Sequence, residues 1–209
     1  MKYLAALFLL LIFIANADAA PPKGFHKGPY FMLQGGIFNF AADNNVRTGA
    51  KVGRDYEPAV GFNFGWNLYD WMAPEFQVRY TTNKNNGNRE HVVKANFNFV
   101  YSLITDSLAD RESIRLIPFL QSGPMLLLAA VPGDPASSDK ILSLWGPGIG
   151  VGGGLRVLYK RYIYFGLLAQ SDFVALPDRH QNVGGVNTKI IDGSMDAQFG
   201  ATGTIGVHF

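Results

Sequence analysis

Between Asp196 and Phe209 the side chains change character at nearly every step. Phe209, Val207, Ile205, Ala201, Phe199 and Ala197 are apolar, with Gly203 the exception. The intervening His208, Gly206, Thr204, Thr202, Gly200, Gln198 and Asp196 are small or polar. Successive side chains of a strand point to opposite faces, so this is one strand with an apolar face and a polar face. A period of two is not the 3.6 of a helix.

The same reading applies along the chain. Residues 59–69 set Val60, Phe62, Phe64, Trp66 and Leu68 against Ala59, Gly61, Asn63, Gly65 and Asn67. Residues 72–82 set Met72, Phe76, Val78 and Tyr80 against Glu75, Gln77, Arg79 and Thr81. Residues 91–103, 146–158 and 162–175 alternate in the same way, which makes six clear strands with 194–209. Two weaker ones, 28–40 and 116–129, complete eight. In 28–40 the inner face carries Gln34 and Gly36, and in 116–129 it carries Phe119, Gln121, Gly123 and Met125.

The polar faces hold three acids, Glu75, Asp172 and Asp196, and three bases, Arg79, Lys94 and Arg156. A soluble barrel or sandwich hides its apolar face, and the six charges weigh against a lipocalin-like interior. The segments have 11 to 16 residues, against about 5–6 for an average soluble strand. A tilted membrane strand takes about 9–11. The expected fold is an all-β, eight-stranded antiparallel up-and-down transmembrane β-barrel, with apolar groups outward and charges in the lumen.

The N-terminus reads as a secretory signal: Lys2, a short apolar run over 4–15, then Ala17-Asp18-Ala19 as an A-x-A cleavage site. Residues 1–19 are therefore expected to be removed, 20–27 to form a short periplasmic segment, and 28–209 to form the barrel. The run is too short for a membrane helix, which needs about 20 residues. There is no cysteine, hence neither disulfide nor thiolate chemistry. The formal net charge of +2 comes without a basic block, so nucleic acid is not an expected partner.

Connections alternate in length. Residues 41–58, 131–145 and 176–193 are long, 70–71 and 159–161 are tight, and 83–90 and 105–115 are intermediate. Membrane barrels have short periplasmic turns and longer outer loops, which puts both termini in the periplasm. Tyr30, Phe31, Trp66, Tyr69, Trp71, Tyr101, Tyr159, Tyr162 and Phe209 fall near that rim and are expected to form an aromatic girdle. Pro74, Pro118 and Pro147 are expected near strand starts. Pro124, in mid-strand, predicts a bulge or an earlier end to the regular strand.

Signal peptide, eight alternating strands, long-short connections and terminal Phe209 together resemble the small outer-membrane β-barrel family, of the OmpA transmembrane-domain and OmpX/Ail type. The resemblance covers the whole mature chain and implies a barrel without the peptidoglycan-binding domain that OmpA carries. It implies a bacterial outer-membrane location. Ile205, Val207 and Phe209 resemble the family's signal for the barrel-assembly machinery, with periplasmic chaperones as further partners during biogenesis. Some barrels of this kind are enzymes. Lipid A deacylases resemble one another in a His-x-Ser pair, and none of His26, His91, His180 and His208 is followed by x-Ser. Asp178-Arg179-His180 reads as a polar loop. No catalytic residue, cofactor or metal site is expected.

The lumen of an eight-stranded barrel has room for side chains and little else. Glu75, Arg79, Lys94, Arg156, Asp172 and Asp196 are expected to fill it as ion pairs, since buried charges must be matched. The inward glycines keep open a narrower alternative, a small pore or OmpW-like channel for ions or hydrophobic solutes. The outer loops offer Arg47, Lys51 and Arg54, then Lys84 and Arg89, then Arg179 and Lys189. These suit contacts with lipopolysaccharide phosphates and outer-membrane lipid, or with host surface and matrix molecules. The expected function is a non-enzymatic envelope component that presents surface loops.

Overall fold

A computed structural model of the chain describes residues 27–39, 56–69, 71–85, 88–103, 114–132, 141–159, 162–191 and 193–209. The expected signal segment lies outside them, as do Arg47, Lys51 and Arg54 of the first long connection. Among the described residues ten strands occur: β1 (Gly28–Asn39), β2 (Tyr56–Asn67), β3 (Met72–Asn85), β4 (Asn88–Ser102), β5 (Ile114–Pro132), β6 (Ile141–Tyr159), β7 (Ile163–Leu176), β8 (Arg179–Val183), β9 (Val186–Ile191) and β10 (Ser194–His208). Eight of them close a barrel in the order β1-β10-β7-β6-β5-β4-β3-β2, every pair antiparallel.

Closure staggers the strands. Paired residues lead from Gly206 through Met32, Asn63, Gln77, Asn96, Met125, Gly148 and Val174 to Asp196. The path leaves β10 at position 206 and returns at 196, a stagger of ten residues. Such a stagger goes with strands tilted by roughly 35–45° and an interior that side chains fill.

Alternation sorts the side chains as read from sequence. Val60, Phe62, Phe76, Phe97, Leu126, Ile149, Leu167, Phe173 and Ile205 are exposed on the outer face. Glu75, Gln77, Arg79, Lys94, Asn96, Asn98, Gln121, Arg156, Gln170 and Asp172 are buried inside. Two apolar clusters flank this polar middle. One, toward the chain ends, joins Tyr30, Ala73, Val100, Ile117, Phe119, Leu158 and Tyr164. The other, at the opposite end, joins Val92, Leu127, Val131, Leu144, Val174 and Leu176.

Several sequence expectations need correction. Tyr30 is not in an outer girdle; it is fully buried in the lumen, because it shares the parity of Gln34. Residues 176–193 are not only loop, since β8 and β9 pair as a separate hairpin. Its turn is Gly184-Gly185, at φ +61° and +84°, the left-handed pair that a two-residue hairpin turn requires. Residues 83–90 are not a loop of intermediate length, because β3 and β4 stay paired out to Asn85 and Asn88.

Pro124 causes neither a bulge nor an early end. β5 runs on to Pro132, and its register with β6 is unbroken from Ile114 to Pro132. Pairing with β4 lapses beside Pro124 and resumes unshifted, from Asn96↔Met125 to Phe99↔Ser122. Gly123 allows this: a Cβ there would fall 2.8 Å from the Asn98 Cα. Pro147 sits well inside β6 rather than near its start, just before pairing with β7 begins at Gly148.

Candidate functional site: the lumen charge network

The sequence-predicted lumen charges divide into two groups. The first group centres on Glu75, fully buried on β3. Its carboxylate accepts from Arg156 Nη2 at 2.6 Å, the Tyr30 hydroxyl at 2.7 Å and Asn63 Nδ2 at 2.9 Å. Arg156 also donates from Nη1 to the Tyr30 oxygen at 3.3 Å, and its guanidinium lies 4.4 Å from the Phe119 ring centre. Four strands thus meet at one carboxylate, and both of its oxygens are occupied. Charge-assisted bonds of this kind are the strong ones.

The second group centres on Asp172 of β7. Arg79 Nη2 and Lys94 Nζ approach its Oδ2 at 3.5 Å and 3.4 Å, and Gln170 Nε2 donates to Oδ1 at 2.6 Å. The Phe38 ring serves both cations, with Lys94 Nζ 3.6 Å and Arg79 Cζ 4.3 Å from its centre. Cation–π attraction strengthens where water is excluded. Amides fill the space between the groups: Gln121 donates to Gln170 at 3.0 Å and Gln77 to Gln34 at 3.2 Å. Asp196, half-buried near the start of β10, lies at the edge of the second group: its charge acts on Lys94, and it accepts from Gln198 at 3.2 Å.

The inward glycines make way for large neighbours. A Cβ at Gly65 would strike the Tyr30 ring, and one at Gly200 the Phe38 ring. These are the two rings that organise the charge groups. The glycines therefore serve close packing, which the sequence left undivided from open space.

At the loop end, Arg179 and Lys189 are engaged within the hairpin region. Lys189 Nζ lies 3.0 Å from Asp178 Oδ1, and the Gly193 amide donates to the same oxygen at 2.6 Å. That amide first, and then the Lys189 ammonium, hold the Asp178 carboxyl below its ordinary range. Arg179 sits 5.8 Å from the centre of the Trp145 ring. Ile190 of β9 is fully buried in the apolar cluster below, with Val183 of β8 packed against it. The hairpin thus covers one end of the lumen. Sequence reading missed this, although Val183-Gly184-Gly185-Val186 carries a two-residue turn signal. Lys84 and Arg89 are directly opposed in the β3–β4 register. Ile205 and Val207 line the outer face of β10, and Phe209, just past its end, is 72% exposed.

Among the described residues, His91 Nδ1 contacts a hydroxyl, that of Tyr80, at 2.7 Å. The pair lies on the outer wall, away from the lumen charges. Among the described residues there is no group of three His, Asp or Glu side chains placed to hold a metal ion.

No protein-family model matches the sequence, and no curated protein matches it. Solved structures do match in shape. The crystal structure of Neisserial surface protein A aligns with a TM-score of 0.61 at 11% identity, over 87% of this chain and 97% of that one. The N-terminal β-barrel domain of Pseudomonas aeruginosa OprF aligns with a TM-score of 0.56 at 11% identity, over 88% of this chain and all of that domain. The chain has the closed eight-stranded barrel fold of these proteins.

Proposed function

We propose that the protein is an integral bacterial outer-membrane barrel, a non-enzymatic envelope component that displays its longer connections at the cell surface. One observation carries this: the wall is apolar outward while charges are buried and ion-paired inward. In water that distribution would expose a broad apolar belt, which soluble monomers avoid. In a bilayer it puts acyl chains against the belt, and the closed wall keeps its backbone ladder within the protein. Tyr69, Trp71 and Tyr101 stack in series at the short-turn end, at 5.7 Å and 6.3 Å between ring centres. This supports an aromatic girdle there, and with it periplasmic termini after removal of residues 1–19.

The lumen supports a closed barrel over a channel. Both charge groups are stapled across it, and an apolar cluster lies beyond each end. The surface role falls to the hairpin and the connections, whose cations suit phosphate-bearing lipopolysaccharide or anionic host molecules. Ile205, Val207 and Phe209 would serve recognition by the assembly machinery.

The test has two parts. Isolated outer membranes should yield a compact, detergent-resistant band whose mobility shifts on boiling. Liposomes carrying the folded protein should not swell in small sugars. Swelling would favour the channel, and a monomer stable in detergent-free buffer would end the membrane reading.

A further inference from the structure

A hollow of about 580 Å³ opens on the outer wall across β1, β10, β7 and β6. Leu33, Leu155, Phe165, Leu167 and Ile205 form its sides. Its floor is Gly35 and Gly203, directly paired across the β1–β10 seam. Their parity is outward, shared with Leu33 and Ile37 on β1 and with Ile205 and Ala201 on β10.

These two glycines differ from the inward ones. A Cβ at Gly35 would meet nothing within 4 Å, and one at Gly203 nothing nearer than 3.9 Å. At Gly61, Gly65, Gly123, Gly154, Gly200 and Gly206 the same atom would collide. Glycine in a strand forgoes side-chain packing, and close approach of the wall does not require it at positions 35 and 203. What the pair does is keep a trough open between bulky neighbours.

The size and place of the trough select its occupant. Eleven residues line it, whereas one side of a stable protein interface takes about 20–30. A second barrel would find too little to hold. None of the eleven is charged, and the polar ones, Gln34 and Thr204, have inward parity. Gly203 lies six positions before Phe209, about 20 Å along the strand. With the tilt of a small barrel that is roughly 15 Å of depth, well inside an apolar band about 25 Å tall. The volume lies in the range of clefts that enclose small ligands, about 300–1,000 Å³.

We propose that the trough binds one acyl chain of a membrane phospholipid and retains it while chains elsewhere on the wall exchange freely. This rests on the membrane reading. The barrel would be refolded into nanodiscs of palmitoyl-oleoyl phosphatidylethanolamine and phosphatidylglycerol. Nuclear Overhauser contacts from chain methylenes would then be read at the Gly35 and Gly203 amides, and at Phe97 and Leu126 on the far wall. Stronger contacts at the glycines are expected. Native mass spectrometry after lipid stripping should show one retained phospholipid. Its occupancy should fall at least tenfold in a Gly35→Val, Gly203→Val double variant and hold in Ala201→Val.

Equal contacts on both walls, or equal retention in the double variant, would overturn the site. Protein–protein contacts at Gly203 would assign it to a second copy instead and overturn it too. Should the double variant fail to fold, the wild-type contacts still decide. A barrel that stays out of the bilayer sinks the membrane reading and the trough together; one that inserts but exchanges lipid evenly sinks the trough alone.

Discussion

Arg156 and Glu75 lie 81 positions apart in sequence and 2.6 Å apart across the lumen. Neither is solvated enough to stand alone: Glu75 is fully buried and Arg156 nearly so. Glu75→Ala should therefore strand a buried guanidinium and cost about 3–5 kcal/mol. Urea unfolding in phospholipid vesicles, followed by tryptophan fluorescence, measures it. Adding Arg156→Met should recover part of the loss, because the unpaired charge is gone. An unchanged midpoint in the single variant would show that the pair contributes nothing.

Gly200 and Gly203 occupy the same strand and face opposite ways. Gly200→Ala puts a methyl group into the Phe38 ring and should cost about 1–3 kcal/mol as overpacking. Gly203→Ala meets open space and should be neutral or mildly stabilising, since alanine suits a strand better than glycine does. Shortening the ring, as Phe38→Leu, should relieve much of the Gly200→Ala penalty. Equal losses for the two alanine variants in vesicle unfolding would contradict the assignment of faces.

The hairpin base should respond to acid in one direction. The Asp178 carboxyl is held below its ordinary range, so its contribution is complete above the unfolded value of about 3.9 and is lost only as pH falls through the lower folded value. The protection factor of the Gly193 amide, with the intrinsic pH dependence of exchange divided out, should stay flat from neutrality down to about pH 4, then fall. Asp178→Asn should lower that factor across the flat range. Protection fading already between pH 7 and pH 5 would point to a different group.

Phe62 lies mid-strand on the outer face, with polar Asn63 beside it facing inward. Phe62→Arg should cost about 2–4 kcal/mol if that face meets the bilayer midplane. Val186→Arg, on the exposed hairpin, should leave stability within about 0.5 kcal/mol. Reversal of that order in vesicle unfolding would place the apolar belt somewhere other than in lipid.

How far the sequence reaches can be seen residue by residue. Alternation placed Phe62 outside and Asn63 inside because a strand has no other way to arrange neighbours. It put Glu75, Arg79, Lys94, Arg156 and Asp172 in the lumen for the same reason. It also held the answer for Tyr30, whose parity matches Gln34, but rim position was given more weight than parity. Gly184-Gly185 was equally legible as a turn signal, yet the loop reading of 176–193 overlooked it.

What alternation cannot supply is register. Facing inward does not say which acid meets which base, and that depends on the ten-residue stagger fixed when β1 closes onto β10. Closure brings Glu75 to Arg156 and shares Asp172 between Arg79 and Lys94. It also pairs Gly35 with Gly203, so that two single gaps become one trough. Local side-chain chemistry, written into the order of residues, decided the two faces of every strand. Tertiary closure alone decided the contacts across the lumen and along the seam, because they join residues that no short-range pattern links.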